Sequence, residues 1–127
     1  MNALQRVILY TDSDGRARFR EEPIELNQGT AAARLSELFA AQALQWRFSP
    51  VGFRSEFHCT TTPQWLIVIS GCMEIELQDG TCRRFNAGEH FYSGDTLPDG
   101  CVFDPSVHGH RSRQIGDQPL VTVFVRG

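Results

Sequence analysis

The segment from Met73 to Gly80 constrains the fold more than any other stretch. Met73, Ile75 and Leu77 alternate with Glu74, Glu76 and Gln78, and Asp79-Gly80 follows at once. A period of two sends alternate side chains to opposite faces of a strand. An Asp-Gly pair directly after such a run is a hairpin turn. The chain therefore needs a sheet with one face to be covered.

The same period recurs. Leu44, Trp46 and Phe48 alternate with Gln45 and Arg47 until Ser49-Pro50 breaks the run. Trp65 to Ile69 is apolar at every position, as in a strand covered on both sides. Val7–Tyr10, Ile24–Leu26, Phe53–His58, Cys82–Phe85, Glu89–Tyr92, Val107–Arg113 and Leu120–Val125 also read as extended chain, with Asp12-Ser13-Asp14-Gly15 as a turn. One helix is predicted, over Thr30–Ala40. Thr30 can cap its start, and Leu35, Leu38 and Phe39 form a single stripe. Roughly nine short strands with close turns predict an all-β sandwich or barrel. At 127 residues the chain predicts one domain, with N-terminal strands and a short helix over 1–43 and a barrel core over 44–127.

Composition narrows function. The net charge is −3 and no basic run occurs, which argues against nucleic acid. No apolar stretch approaches twenty residues and no leader precedes the first strand, so the expectation is a cytoplasmic protein away from membranes. The four cysteines lack C-x-x-C spacing and are expected as free thiols. All twelve basic residues are arginine, which excludes lysine Schiff-base chemistry. Arg47, Arg54, Arg111 and Arg113 remain as forks for anions.

Gly52, five residues, His58-Cys59-Thr60, three residues, Gln64, six residues and Gly71 reproduce the spacing of the first motif of the cupin superfamily. Gly88 with Glu89, and Gly109-His110-Arg111 after extra residues between 93 and 107, resemble the second. The chain resembles small single-domain bacterial cupins over about residues 44–127. The resemblance implies a double-stranded β-helix, or jelly-roll, barrel that pairs as a homodimer.

The resemblance also implies a site. Cupin metalloenzymes are described with three histidines and one glutamate. Here His58, Gln64 and His110 occupy ligand positions, Thr60 stands where a histidine would, and Gln64 removes the negative charge. Two imidazoles and an amide are a weak set for a divalent first-row metal. Iron, manganese, nickel or zinc on His58, Gln64 and His110 is thus the alternative to a metal-free pocket.

Strand alternation points the same way. His58 and Thr60 share a face, as do His108 and His110. Inward polar side chains are costly unless they bind one another, water or a ligand. The expected ligand-binding set is His58, Thr60, Gln64, His108, His110, Arg54, Arg111 and Trp65. Trp46 and Trp65 read as core or pocket wall, His90 as a surface histidine, and Asp95 as a turn residue with acid–base chemistry as the alternative.

The expected function is binding of a small polar metabolite, such as a carboxylate or sugar derivative. One alternative is an enzyme. It would be a metal-dependent isomerase, decarboxylase or dioxygenase, or a metal-free epimerase or cyclase with His58 or His110 as general base. The other is a structural or regulatory dimeric barrel.

Overall fold

The computed structural model describes residues 2–127. Among the described residues eleven strands run in order: β1 (Ala3–Thr11), β2 (Ala17–Glu25), β3 (Gln28–Thr30), β4 (Ala33–Leu35), β5 (Ala43–Ser49), β6 (Gln64–Ser70), β7 (Cys72–Leu77), β8 (Cys82–Asn86), β9 (His90–Ser93), β10 (His110–Ile115) and β11 (Leu120–Arg126). Six form one sheet in the order β2-β1-β9-β6-β11-β5, and three form a second in the order β10-β7-β8. All pairings in these sheets are antiparallel except β1 with β9. This is the all-β, jelly-roll-like barrel that the resemblance implied.

Period-two patterning explains why the two sheets close on each other. Met73, Ile75 and Leu77 of β7 are buried against Leu66 and Val68 of β6, Val7 and Leu9 of β1, and Phe91 of β9. Each such side chain contributes about 1.5–3 kcal/mol on burial. Phe85 and Phe91 add a tilted ring pair at 4.7 Å. Gly71 turns β6 into β7 at a φ of 83°, where a Cβ would run into the backbone of Pro119 and Leu120.

The predicted helix is not formed. Residues 28–35 make a tight hairpin of β3 and β4, in which Thr30 Oγ1 accepts the Ala33 N–H at 3.2 Å. An isolated helix this short needs a buried face to survive. Its stripe finds none, because Leu38 is 97% exposed and only Phe39 packs, edge-on to Trp65 at 5.4 Å. Phe53–His58 is also not a strand. It lies along β10 through the isolated bridges Arg54–Arg113 and His58–His110, with the Ser55 N–H donating to Ser112 O and the Gln114 N–H to Phe53 O. Trp65–Ile69 is covered fully on its inner face alone, since Leu66 and Val68 are buried and Ile69 is exposed.

Among the described residues all four cysteines are free, and no helix is long and apolar enough to cross a membrane.

Candidate functional site

One end of the barrel opens into a cavity of about 280 Å³. Its polar wall includes Arg47, His58, Thr60, Gln64, Ser93, His110 and Ser112, and its floor Leu66, Met73, Ile75, Phe91 and Phe124. Strand alternation delivers these groups. Arg47 and Gln64 come from β5 and β6, Ser93 ends β9, and His110 and Ser112 share the inner face of β10.

His58 and His110 are joined twice through the backbone. The His58 N–H donates to His110 O at 2.9 Å and the His110 N–H to His58 O at 3.0 Å. Their rings stand 4.8 Å apart. Gly109 makes this approach possible. Its φ is 84°, and a Cβ there would run into the His58 backbone.

Each imidazole is oriented by its Nδ1. His58 Nδ1 lies 2.9 Å from the Glu56 carbonyl, which only accepts, so Nδ1 carries the proton. His110 Nδ1 lies 2.8 Å from Asp95 Oδ2. Asp95 is wholly buried and also accepts from Thr11 Oγ1 at 2.7 Å, while its carbonyl accepts the Thr60 N–H at 2.8 Å. Both rings are thereby left with Nε2 as the free nitrogen. Burial at the cavity wall lowers the His58 pKa, with the Glu56 carbonyl acting against it and His110 and Arg47 adding to it.

The other polar groups divide by what is already satisfied. The Thr60 and Ser93 hydroxyls pair at 2.6 Å. Gln64 Oε1 accepts from Arg126 Nε at 3.2 Å, which leaves its Nε2 donors free. The Cys59 thiol is pushed up to about 11 by burial, with Asp95 adding to the rise, so it stays protonated at neutral pH.

His58, Thr60, Gln64 and His110, all expected in the site, line this cavity. Four expected residues do not. His108 does not share the face of His110, because Gly109 turns the chain and β10 begins only at His110. The His108 Nδ1 instead accepts the Asp104 N–H at 3.0 Å, and its ring packs against Gly15. Trp65 lies on the outer face of the larger sheet, against Phe39, Tyr92 and the guanidinium of Arg6. Arg54 and Arg111 border a separate concavity with Glu74, Glu76 and Arg113, where Arg111 Nε donates to Glu76 Oε1 at 2.9 Å. Trp46 is neither core nor pocket wall, being 64% exposed.

Asp95, set down from sequence as a turn residue, proves to be the partner of His110. Its signal was faint: Ser93 continues the inward alternation of Phe91, and Asp95 follows two residues on. The extra residues 96–107 do not line the cavity. Gln78 Nε2 fastens that loop by donating to Pro105 O at 2.8 Å and His108 O at 3.1 Å.

The donor set does not fit a resident divalent cation. The two Nε2 atoms are oriented as metal-ligating imidazoles are. The third donor, however, is a neutral amide, the nearby thiol is protonated, and the Arg47 guanidinium shares the wall. Among the described residues no three histidine, cysteine or carboxylate side chains gather as a metal-holding group.

No protein-family model matches the chain, and no curated protein matches it. Among solved structures it is similar to the DMSP lyase DddQ from Ruegeria pomeroyi, at 19% identity and a TM-score of 0.47, over 99% of this chain and 47% of that one. The chain thus spans about half the length of that protein. It is also similar to the Cnp3 cupin domain of Schizosaccharomyces pombe, at 12% identity and a TM-score of 0.47, over 100% of this chain and 86% of that one. Two facing sheets in this strand order give the chain a jelly-roll-like β-barrel.

Proposed function

We propose that this barrel binds a small polar metabolite in the cavity beside His58 and His110. The observation that carries the reading is the convergence of polar side chains, with nitrogens that no protein group holds, over an apolar floor. Two imidazole Nε2 atoms and the Gln64 amide face a space of about 280 Å³ that Leu66, Ile75 and Phe91 close from below. Such atoms cost free energy at a wall unless a ligand or water meets them. The volume suits a ligand smaller than most drugs. A thermal-stability screen against a metabolite library tests this. At least one small polar compound should raise Tm in the native chain, and the rise should vanish in Gln64→Ala and His58→Ala. No shift from any compound, with both variants folding normally, contradicts it.

A second reading, a metal-free acid–base enzyme, is favoured by the chain Thr11–Asp95–His110. A buried carboxylate fixes the orientation and tautomer of His110, which leaves Nε2 as the atom placed to take a proton. Deuterium incorporation into a bound compound in heavy water, lost in His110→Gln, supports it. Binding without exchange leaves the binding reading alone.

The homodimer is supported by the outer face of β5. Leu44, Trp46 and Phe48 are exposed there beside Val121 and Val125 of β11, on a strand at the edge of its sheet. An apolar edge of this kind is a template for a second copy.

A further inference from the structure

Arg47 is the one permanently charged side chain on the cavity wall. β5 turns it inward, while its neighbours Trp46 and Phe48 face outward. Its guanidinium lies 4.5 Å over the Phe53 ring. Among the described residues no carboxylate lies within ion-pairing distance of it. Most other arginines of the barrel surface do have such a partner. Arg6, Arg18, Arg20, Arg83, Arg84, Arg111 and Arg113 all pair with a carboxylate. The one that faces the cavity does not.

The surrounding atoms are also of definite kinds. Gln64 has its Nε2 donors free, while Arg126 donates to its oxygen. His58 and His110 offer only lone pairs at Nε2 while neutral, because Nδ1 of each carries the proton. The cavity therefore presents a guanidinium and an amide N–H set, two nearby acceptors, and an apolar floor. A guanidinium left without a carboxylate above an apolar floor favours an anion, and its planar fork matches a carboxylate. The two acceptors call for a donor on the same ligand. A hydroxyl supplies one without adding positive charge beside Arg47.

We infer that the ligand is a small hydroxycarboxylate, held with its carboxylate on Arg47 and Gln64 Nε2 and its hydroxyl donating to one of the two imidazole Nε2 atoms. This rests on the cavity being the binding site and names the class of molecule it takes. The apolar floor receives the carbon chain. The same feature accounts for the poor metal set: the wall is built for an anion, so no acidic ligand stands on it.

Calorimetric titration of the untagged protein, treated with chelator, tests the inference. The probes are lactate, 2-hydroxybutyrate and 2-hydroxyisocaproate, each alongside its neutral carboxamide. At least one acid should bind about tenfold or more tighter than its carboxamide. Arg47→Met should erase that preference, and Arg47→Lys should keep part of it. If acids and carboxamides bind alike, or Arg47→Met leaves the preference intact, the inference fails while the binding reading survives. If the acid binds only once zinc or manganese is added, the inference fails in favour of a metal site. If no probe binds but an uncharged metabolite from the library does, the carboxylate class is wrong. If nothing binds at all, both readings fall.

Discussion

Nδ1 of His110 stands 2.8 Å from Oδ2 of Asp95, with both side chains buried and Thr11 holding the other carboxylate oxygen at 2.7 Å. This contact fixes which nitrogen of His110 is free. It also ties β1, the loop after β9, and β10 together at the cavity.

Asp95→Asn keeps the shape and removes the charge. It should destabilise the fold by about 1–3 kcal/mol, since a buried hydrogen bond to a charged group is lost. Long-range nitrogen–proton NMR spectra should show the Nδ1–H tautomer of His110 in the native chain. A native Nε2–H tautomer would mean that the Asp95 contact does not orient the ring.

The pH dependence follows from His58. Its pKa is lowered in the folded state, chiefly by burial, so the unfolded chain holds more protons between that value and the ordinary histidine pKa of about 6.5. Stability from this group is complete above about 6.5 and is lost as pH falls below it. NMR titration should place the His58 midpoint below the usual histidine value. Denaturation of His58→Gln should show a flatter decline in stability on acidification than the native chain.

Gly109→Ala forces a side chain into the left-handed region and against the His58 backbone. The backbone strain alone costs about 1–3 kcal/mol. Chemical denaturation should register at least that loss, and the paired amides of His58 and His110 should exchange faster with solvent. Unchanged stability would show that the two segments are not held by this close approach.

Much of the barrel was legible in the chain because period two is set by backbone geometry. Met73–Leu77 and the glycines at 52 and 71 needed no partner to be read. The site was legible where a candidate stood on the inner face of a strand, as with Gln64 on β6 and His110 on β10. It was not legible where a turn intervened. Gly109 rotates His108 away from His110, and no local pattern reports a φ of 84°. Asp95 was missed for a related reason, since its burial depends on Thr11 and His110, far off in sequence. The orientation of β5 was hidden too. Trp46 read as core or pocket wall, whereas the sheet turns it outward and Arg47 inward. The helix failed because its propensity had no surface to pack on.

The exposed face of β5 predicts an oligomeric difference. Trp46→Glu, at a side chain 64% exposed in the single chain, should leave the fold intact and convert a dimer to a monomer in sedimentation velocity. A native chain that sediments as a monomer at all accessible concentrations would refute the dimer.

The most direct test of the account is to locate a bound metabolite by amide chemical-shift mapping in the isotopically labelled chain. The account predicts that shifts on titration of a stabilising compound concentrate at Arg47, His58, Thr60, Gln64, Ser93 and Ser112, around the cavity. Shifts confined instead to the groove of Arg54, Glu74 and Arg113, or to the outer face of β5, with the cavity amides unmoved, would contradict it.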